Sequence, residues 1–200
     1  MITAFQILVI LLALGVVSMF IGQKHKILIF SMGVLAGISG LLVEASRISW
    51  GLWSYGINSG ARFLQVPYLA IIVYFLGGLA AAILAIDPNV KEFFKKFWKH
   101  VFVIFIAVGV VYALITKDYT YLLVVLALFL YSKLNGSNHL LMIAMTAATL
   151  DLIFENLVLI PYGFLTYAFR YDSSLYLGCI FMGFLFVGAL TEYIISRQKK

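Results

Sequence analysis

Hydrophobic residues occur along this chain in seven long runs that are separated by short polar segments. The runs are continuously apolar rather than alternating, which predicts helices and not the strands of a β-barrel. Most are close to the ~20 residues that a helix needs to cross ~30 Å of hydrocarbon. We therefore predict an all-α integral membrane protein with about seven transmembrane helices, at residues 3–22, 27–46, 67–86, 101–116, 119–134, 140–159 and 174–195.

Composition agrees with this pattern. Hydrophobic residues make up 64% of the 200-residue chain and charged residues 11%, and the mean hydropathy is +1.08. Soluble domains are usually about half apolar and about a quarter charged. We expect a single transmembrane helical bundle over residues 1–200, in a multi-pass protein of a cell membrane, with a prokaryotic plasma membrane as the expected setting. The lipid bilayer is an expected partner, and nucleic acid is not.

The distribution of Lys and Arg between the loops predicts the orientation in the membrane. One side carries ten of these residues: Lys24, Lys26, Lys91, Lys95, Lys96, Lys99, Lys133, Arg197, Lys199 and Lys200. The other side carries four: Arg47, Arg62, Lys117 and Arg170. The positive-inside rule therefore places the N-terminus outside and the C-terminus in the cytoplasm. The basic, aromatic segment 87–100 is predicted to form a short amphipathic helix on the cytoplasmic membrane surface.

Two similar segments follow the second and sixth spans, and they predict an internal repeat. The first reads EASRISWGLWSYG from Glu44, and the second reads ENLVLIPYGFLTY from Glu155. Each contains glycine and aromatic residues, with a Tyr 11 or 12 residues after the Glu. This spacing predicts a 3+1+3 arrangement, with half-repeats at about 1–86 and 119–195 and a linker helix at 101–116. The first and fifth spans would point the same way, so the repeats would be parallel.

Three carboxylates lie where apolar helices are expected. Asp151 and Glu155 are four residues apart and share a helix face, and the repeat brings Glu44 to a similar depth. A carboxylate inside a bilayer costs about 2.5–3.5 kcal/mol on insertion scales, so its presence needs a reason. Two carboxyl groups held together can share a proton, as a Brønsted acid requires. The alternatives are a hydrogen-bonded structural pair, and for Glu44 an interfacial salt bridge to Arg47.

Aromatic residues cluster behind both acidic helix ends. They are Trp50, Trp53 and Tyr55 in the first half, and Tyr162 and Tyr167 in the second. Aromatic belts are common at membrane interfaces, so the informative feature is the clustering around the acids. Because aromatic rings attract cations through their quadrupoles, we expect these five residues to line a substrate site together with Arg47.

The remaining titratable residues exclude several kinds of site. His25, His100 and His139 are all predicted on the cytoplasmic side, away from the acids, so a His-based metal site is not expected there. No Ser/His/Asp arrangement fits this topology, and the last span has no Lys for a retinal Schiff base. A Mg²⁺ site made of carboxylates alone is possible, but the chain has no DDxxD-type cluster for a diphosphate.

The first half of the chain resembles the membrane enzymes of carotenoid biosynthesis. The resemblance lies in a carboxylate at a helix end, followed by WGLWSY, a glycine, and a Val-Pro at Pro67 that opens the next span. The resemblance includes the heterodimer-type lycopene cyclase domain and the carotenoid hydratase family. In the second half, GFLTY and SLYLGCIFMGFLFVG are similar to the hydratase pattern. The resemblance covers roughly residues 27–86 and 145–190, and Glu44 and Asp151 match the families' acids. The P-x-E-E motif of the cyclases is absent after Pro67, where the chain reads PYLA.

The resemblance implies an enzyme of carotenoid or polyprenoid biosynthesis that protonates an isoprenoid double bond without redox change, metal or cofactor. Water then captures the cation in a hydratase (a hydro-lyase), and another alkene captures it in a cyclase (an intramolecular lyase). Asp151 or Glu155 would donate the proton, with Glu44 as charge partner or second acid. Arg47, Pro67 and the five aromatic residues would bind a lipid-soluble polyene substrate. The chain would act alone or as a homo- or heterodimer.

Two other functions fit the same pattern. A 3+1+3 parallel repeat resembles sugar transporters of the SWEET type, although their paired Pro-Gln motifs are absent because Pro67 and Pro161 are both followed by Tyr. Solute uptake into vesicles would distinguish a transporter. The second alternative is a non-catalytic membrane subunit whose acids are structural, and an inert carboxylate-to-amide change at Asp151 would support it.

Overall fold

The computed structural model describes residues 4–56, 60–136, 138–167 and 172–198, and most of them are helical. The helices in these ranges are α1 (Ala4–Ile21), α2 (Lys26–Ser49), α3 (Tyr68–Ile86), α4 (Pro88–Thr116), α5 (Thr120–Asn135), α6 (His139–Phe154) and α7 (Asp172–Gln198). A π-turn (Glu155–Leu159) extends α6. Short strands lie in the loops: β1 (Trp53–Tyr55), β2 (Arg62–Phe63), β3 (Val66–Pro67) and β4 (Leu165–Tyr167). The predicted all-α class is confirmed, and the strands were not predicted.

Five of the described helices are long and apolar enough to cross a membrane, which indicates a multi-pass membrane protein. These candidate spans are Lys26–Ser49, Tyr68–Ile86, Pro88–Thr116, His139–Leu159 and Gly178–Gln198. The other two apolar segments, Val9–Ile21 and Thr120–Asn135, are shorter. A helix of 16 residues such as α5 is about 24 Å long, which is less than the ~30 Å of bilayer hydrocarbon.

Helix α4 is longer than the sequence predicted. Instead of a surface helix and a separate linker helix at 101–116, the structure has one helix of 29 residues that begins at Pro88. The carboxylate of Asp87 caps it, because Oδ1 accepts hydrogen bonds from the N–H groups of Asn89 (2.8 Å) and Val90 (3.3 Å). No glycine or proline lies at the junction between the basic and apolar parts, so nothing in the sequence ends the helix there.

Helices α2 and α3 form one hairpin, α6 and α7 form another, and the two hairpins meet at their connecting loops. Strand β1 pairs antiparallel with β4, so that Trp53 lies opposite Tyr167 and Tyr55 opposite Leu165. The C-terminal ends of α2 and α6 therefore lie at the same end of the bundle, which we call the loop end. At the opposite end, His139 Nε2 of α6 is 3.2 Å from the Ala85 carbonyl oxygen of α3.

The two larger of three apolar clusters in the described ranges hold the bundle together. One lies between α4, α5 and α6 and contains Phe102 and Met145. The second joins α1, α2, α3 and α7 and includes Ile83. Helices α2 and α3 approach closely because Gly78 has no side chain: a Cβ atom there would lie 2.8 Å from the Met32 carbonyl oxygen. Such small-residue contacts are typical of helix packing in membranes.

Candidate functional site

The carboxylate of Glu44 is completely buried near the loop end of α2, and three hydrogen-bond donors contact it. Trp53 Nε1 donates to Oε2 at 3.0 Å, and the Tyr55 hydroxyl donates to the same oxygen at 2.8 Å. The Tyr74 hydroxyl, from α3, donates to Oε1 at 2.5 Å. These donors replace the water that burial removes. Burial, followed by the charge of Glu44, raises the pKa of Tyr55 well above its usual value, so this hydroxyl remains a donor.

The turn that ends α2 determines where Trp53 and Tyr55 point. Gly51 adopts a left-handed conformation (φ +71°), which glycine adopts without strain. The N–H groups of Gly51 and Leu52 bond back to the carbonyl oxygens of Ile48 and Arg47, which is a Schellman motif. The chain then enters β1, where alternate side chains share a face. Trp53 and Tyr55 therefore both reach Glu44.

The turn after the π-turn has the same backbone geometry. Gly163 is left-handed (φ +68°), and the N–H groups of Gly163 and Phe164 bond to the carbonyl oxygens of Ile160 and Leu159. Each of these residues, and β4 as a whole, lies 112 positions after its counterpart in the first half. Glu155 lies only 111 positions after the acid of α2. The π-turn contains the one extra residue, which explains the unequal Glu-to-Tyr spacing.

The three predicted acids lie together at the loop end. Asp151 interacts electrostatically with Glu44, and Tyr55 interacts with Glu44, Asp151 and Glu155. Glu155 is only 1% exposed. The Oδ2 atom of Asp151 is fully buried and has no hydrogen-bond partner within the part of the chain that the structure describes. Asp151 therefore differs from Glu44, whose two carboxylate oxygens both accept hydrogen bonds.

A cavity of about 930 Å³ is lined by Asp151 and by other residues of the two helix hairpins. Most of its lining is apolar, and the polar lining residues are Ser39, Tyr74, Asn89, Thr146, Asp151 and Cys179. On α6 the lining extends from Phe154 to Ile143, which is about 16 Å of helix. The volume lies near the upper end of the ~300–1,000 Å³ usual for small-molecule pockets. The cavity therefore suits a long apolar molecule that meets a carboxyl group near one end.

Arg47 lies next to the Glu44 cluster and supports it through Trp53. Its guanidinium carbon is 4.8 Å from the centroid of the Trp53 ring, which is a cation–π distance. Its Nη2 atom also contacts the sulfur of Cys179, which lines the cavity. Arg47 interacts electrostatically with Glu44 as well. This residue thus orients the indole that donates to Glu44.

None of the predicted binding residues whose side chains the structure describes lines the cavity, and Arg47, Trp53 and Tyr55 interact with Glu44 instead. Trp50 and Tyr162 are 73% and 65% exposed, because each immediately precedes the left-handed glycine of its turn and points away from the bundle. Pro67 is buried, but it pairs with Arg62 in the β2–β3 hairpin and precedes the first residue of α3. Tyr167 is placed opposite Trp53 by its backbone, and its side chain lies outside the described residues.

Tyr74 is a site residue that the sequence prediction missed. It lines the cavity and donates to Glu44, so it connects the carboxylate to the cavity. Its ring lies where a Cβ atom on Gly40 would clash with it. Gly33, Gly37, Gly40 and Glu44 all lie on one buried face of α2. The row of glycines on one face of α2, which ends at Glu44, is the sequence feature that could have predicted a close contact with the next helix.

No group of three or more His, Cys, Asp or Glu side chains suitable for a metal ion occurs in the described ranges. Comparisons of the chain with protein-family models, with characterised proteins and with solved structures find no significant match.

Proposed function

We propose that this chain is a membrane enzyme that protonates a double bond of a carotenoid or related polyprenoid, with Asp151 as the proton donor. The observation that carries the proposal is Asp151, which lines an apolar cavity and whose buried Oδ2 has no hydrogen-bond partner in the described structure. Leaving a buried polar atom unbonded costs about 1–3 kcal/mol. An acid that meets an apolar substrate accounts for both the cost and the cavity.

Glu44 is the fixed negative charge beside the donor. Two carboxyl groups in close proximity share a proton, and hydrogen bonds to the ionised form determine which group gives it up. Glu44 accepts three such bonds, from Trp53, Tyr55 and Tyr74. In this proposal Asp151 therefore holds the proton. Glu44 and Glu155 are both outside the cavity lining, so in this proposal they act through Asp151, and Glu155 has a supporting role.

The proposed chemistry needs no oxidant and no reductant. The O–H bond of Asp151 breaks as its proton forms a C–H bond with the alkene, which leaves a carbocation and a carboxylate. In hydration, the oxygen of water forms a C–O bond and a water proton returns to Asp151. In cyclisation, a second alkene of the same substrate forms a C–C bond, and the new cation loses a proton to the same carboxylate. The charge of Glu44 stabilises the cation throughout.

The matching turns support the proposed 3+1+3 repeat. A twofold axis between two copies of a helix–turn–strand unit brings the strand of one copy beside the equivalent strand of the other. The antiparallel pairing of β1 with β4 matches this arrangement. In the proposed enzyme each half contributes one acidic helix to the loop end. The site would then lie between the two halves, as is common in repeat-based membrane proteins.

The apolar cavity lining favours this proposal over sugar transport. A sugar site needs several converging polar groups to fix the orientation of its ligand. The cavity offers few polar side chains in a lining that extends over about 16 Å of α6. A long hydrocarbon chain fits this lining better than a polyhydroxylated solute.

The test is extraction of polyenes from cells that make lycopene or its extended derivatives, with and without this chain. Mass-detected chromatography distinguishes a product heavier by one water (hydration) from an isomer with altered absorption (cyclisation). Asp151→Asn should abolish either product. Asp118→Asn should retain it, because Asp118 is buried but does not line the cavity. Its Oδ1 accepts a hydrogen bond from the Thr120 N–H at the start of α5 (2.9 Å). Unchanged polyenes in cells that contain verified amounts of the chain would overturn the proposal.

A further inference from the structure

Three cavity-lining residues recur every four positions along α6: Asp151, Ala147 and Ile143. Successive members are about 6 Å apart along the helix, because each residue rises 1.5 Å. The acid therefore stands at the loop end of a row that continues toward the opposite end of the bundle. Residues of α4, including Val90 and Phe94, contribute to the lining beyond it.

We propose that the substrate is an extended apolar chain that lies lengthwise along this row, and that Ala147 determines how long a chain the site accepts. The reacting double bond would lie at Asp151, and the rest of the chain would pass Ala147 toward α4. The assignment of the reacting end depends on the proposed function, whereas the length selection is a property of binding alone. Ala147 is a specificity-determining residue because its small side chain keeps the row open one turn from the acid.

The lining itself indicates this occupant. Gly77 of α3 and Gly183 of α7 also line the cavity, and a Cβ atom on Gly183 would meet nothing within 4 Å. Missing side chains on neighbouring helices leave continuous space for a narrow chain. A short molecule would leave most of this apolar surface without contacts, and a long chain gains dispersion contacts along its whole length. Asp151 is the acidic residue of this lining, and it marks the end at which a reactive group is placed.

The test measures binding and needs no turnover. The purified full-length chain in detergent micelles is loaded with a fluorescent polyene alcohol, and linear isoprenols of increasing length displace it. With the unmodified protein, longer isoprenols should displace the fluorescent alcohol at lower concentrations than shorter ones. Ala147→Phe should weaken the binding of the longest isoprenol by about tenfold or more. The reason is that each CH₂ group that is no longer buried weakens binding by about fourfold. The shortest isoprenol should bind as before.

Ala107→Phe is the matched control, because Ala107 is exposed on α4 and does not line the cavity. It should leave every displacement curve unchanged. Ala147→Leu, a smaller obstruction, should give the same pattern with a smaller effect and replaces Ala147→Phe if that variant fails to fold. Equal weakening at all lengths, no dependence on length in the unmodified chain, or no displacement at all would overturn the inference.

The two proposals fail in different ways. Asp151→Asn should keep the dependence on chain length while it abolishes conversion of polyenes in cells. If the protein selects isoprenols by length but converts no polyene, the proposed reaction is overturned and the length selection stands. If it converts polyenes but binds isoprenols of all lengths equally, the length selection is overturned and the proposed reaction stands.

Discussion

The hydroxyl of Tyr74 donates a short hydrogen bond to a completely buried carboxylate, so its removal should be costly. Tyr74→Phe deletes only that hydroxyl. Hydrogen bonds to charged groups contribute about 1.5–3 kcal/mol, and we expect the free energy of unfolding to fall by about 2 kcal/mol. Denaturation by added ionic detergent, followed through tryptophan fluorescence, measures the change. The control is Tyr162→Phe on an exposed ring; an equal loss there would contradict the assignment.

Gly40 determines where the ring of Tyr74 can lie. Gly40→Ala should destabilise the fold by about 1–3 kcal/mol, as overpacking usually does, because the new Cβ atom would clash with that ring. Gly15→Ala on α1 is the matched control, since nothing lies within 4 Å of a Cβ atom at that position. Its higher helix propensity should leave stability unchanged or raise it by up to about 1 kcal/mol. Thermal unfolding in detergent compares the two, and equal effects would refute the packing argument.

The π-turn holds one residue more than the corresponding part of α2, so a deletion there should be tolerated. Leu157 is 67% exposed within this turn. Deletion of Leu157 should convert the π-turn to α-helix, remove the hydrogen bond from the Ile160 N–H to the Glu155 carbonyl, and leave both ends of the segment in place. The expected result is a folded chain with a Glu-to-Tyr spacing of 11 residues, as in the first half. Size-exclusion chromatography and circular dichroism would test this.

Deletion of Ile153 is the control for that experiment. It removes a residue between Asp151 and Glu155, so Glu155 would rotate by about 100° around the helix axis relative to Asp151. We expect this deletion to disrupt the acid cluster and to lower expression of folded protein. Equal tolerance of both deletions would mean that the π-turn is not an inserted residue.

Four helices are joined by side chains at the end of the bundle opposite the loops. Glu192 of α7 forms an ion pair with Lys91 of α4, and its Oε1 is 3.1 Å from His139 Nε2 of α6, which also contacts the Ala85 carbonyl oxygen of α3. Glu192→Gln should lower the free energy of unfolding by up to about 1 kcal/mol, because the pair is partly exposed, and the effect should shrink in high salt. Glu92→Gln, at an exposed position of α4, should have no such salt-dependent effect.

The orientation of the whole molecule remains a prediction from its charges, and labelling can test it. In a Cys179→Ser background, Ala61→Cys reports on the loop end and Lys96→Cys on the basic part of α4. The positive-inside rule predicts that a membrane-impermeant maleimide added to intact cells labels Ala61→Cys only. Labelling of Lys96→Cys alone would show the opposite orientation. Permeabilised cells, in which both should react, provide the control.

The sequence by itself determined the helical membrane class and the approximate helix positions. In hydrocarbon the backbone must satisfy its own hydrogen bonds, so each long apolar run has to form a helix. It also identified Glu44, Asp151 and Glu155, because a charge in an apolar run is costly wherever the helix packs. The end of a helix is less certain: α4 passes through the predicted boundary at residue 101 because no residue there favours a break.

Only the tertiary structure decided which side chains meet the acids. Tyr74 donates to Glu44 because α2 and α3 pack at Gly40, a contact between residues that are distant in sequence. Trp53 faces Glu44 whereas Trp50 is exposed, since the left-handed Gly51 between them reverses the chain direction. The sequence shows where aromatic residues occur, but the direction in which each ring points depends on turn geometry and on helix packing. These long-range contacts therefore decided the site.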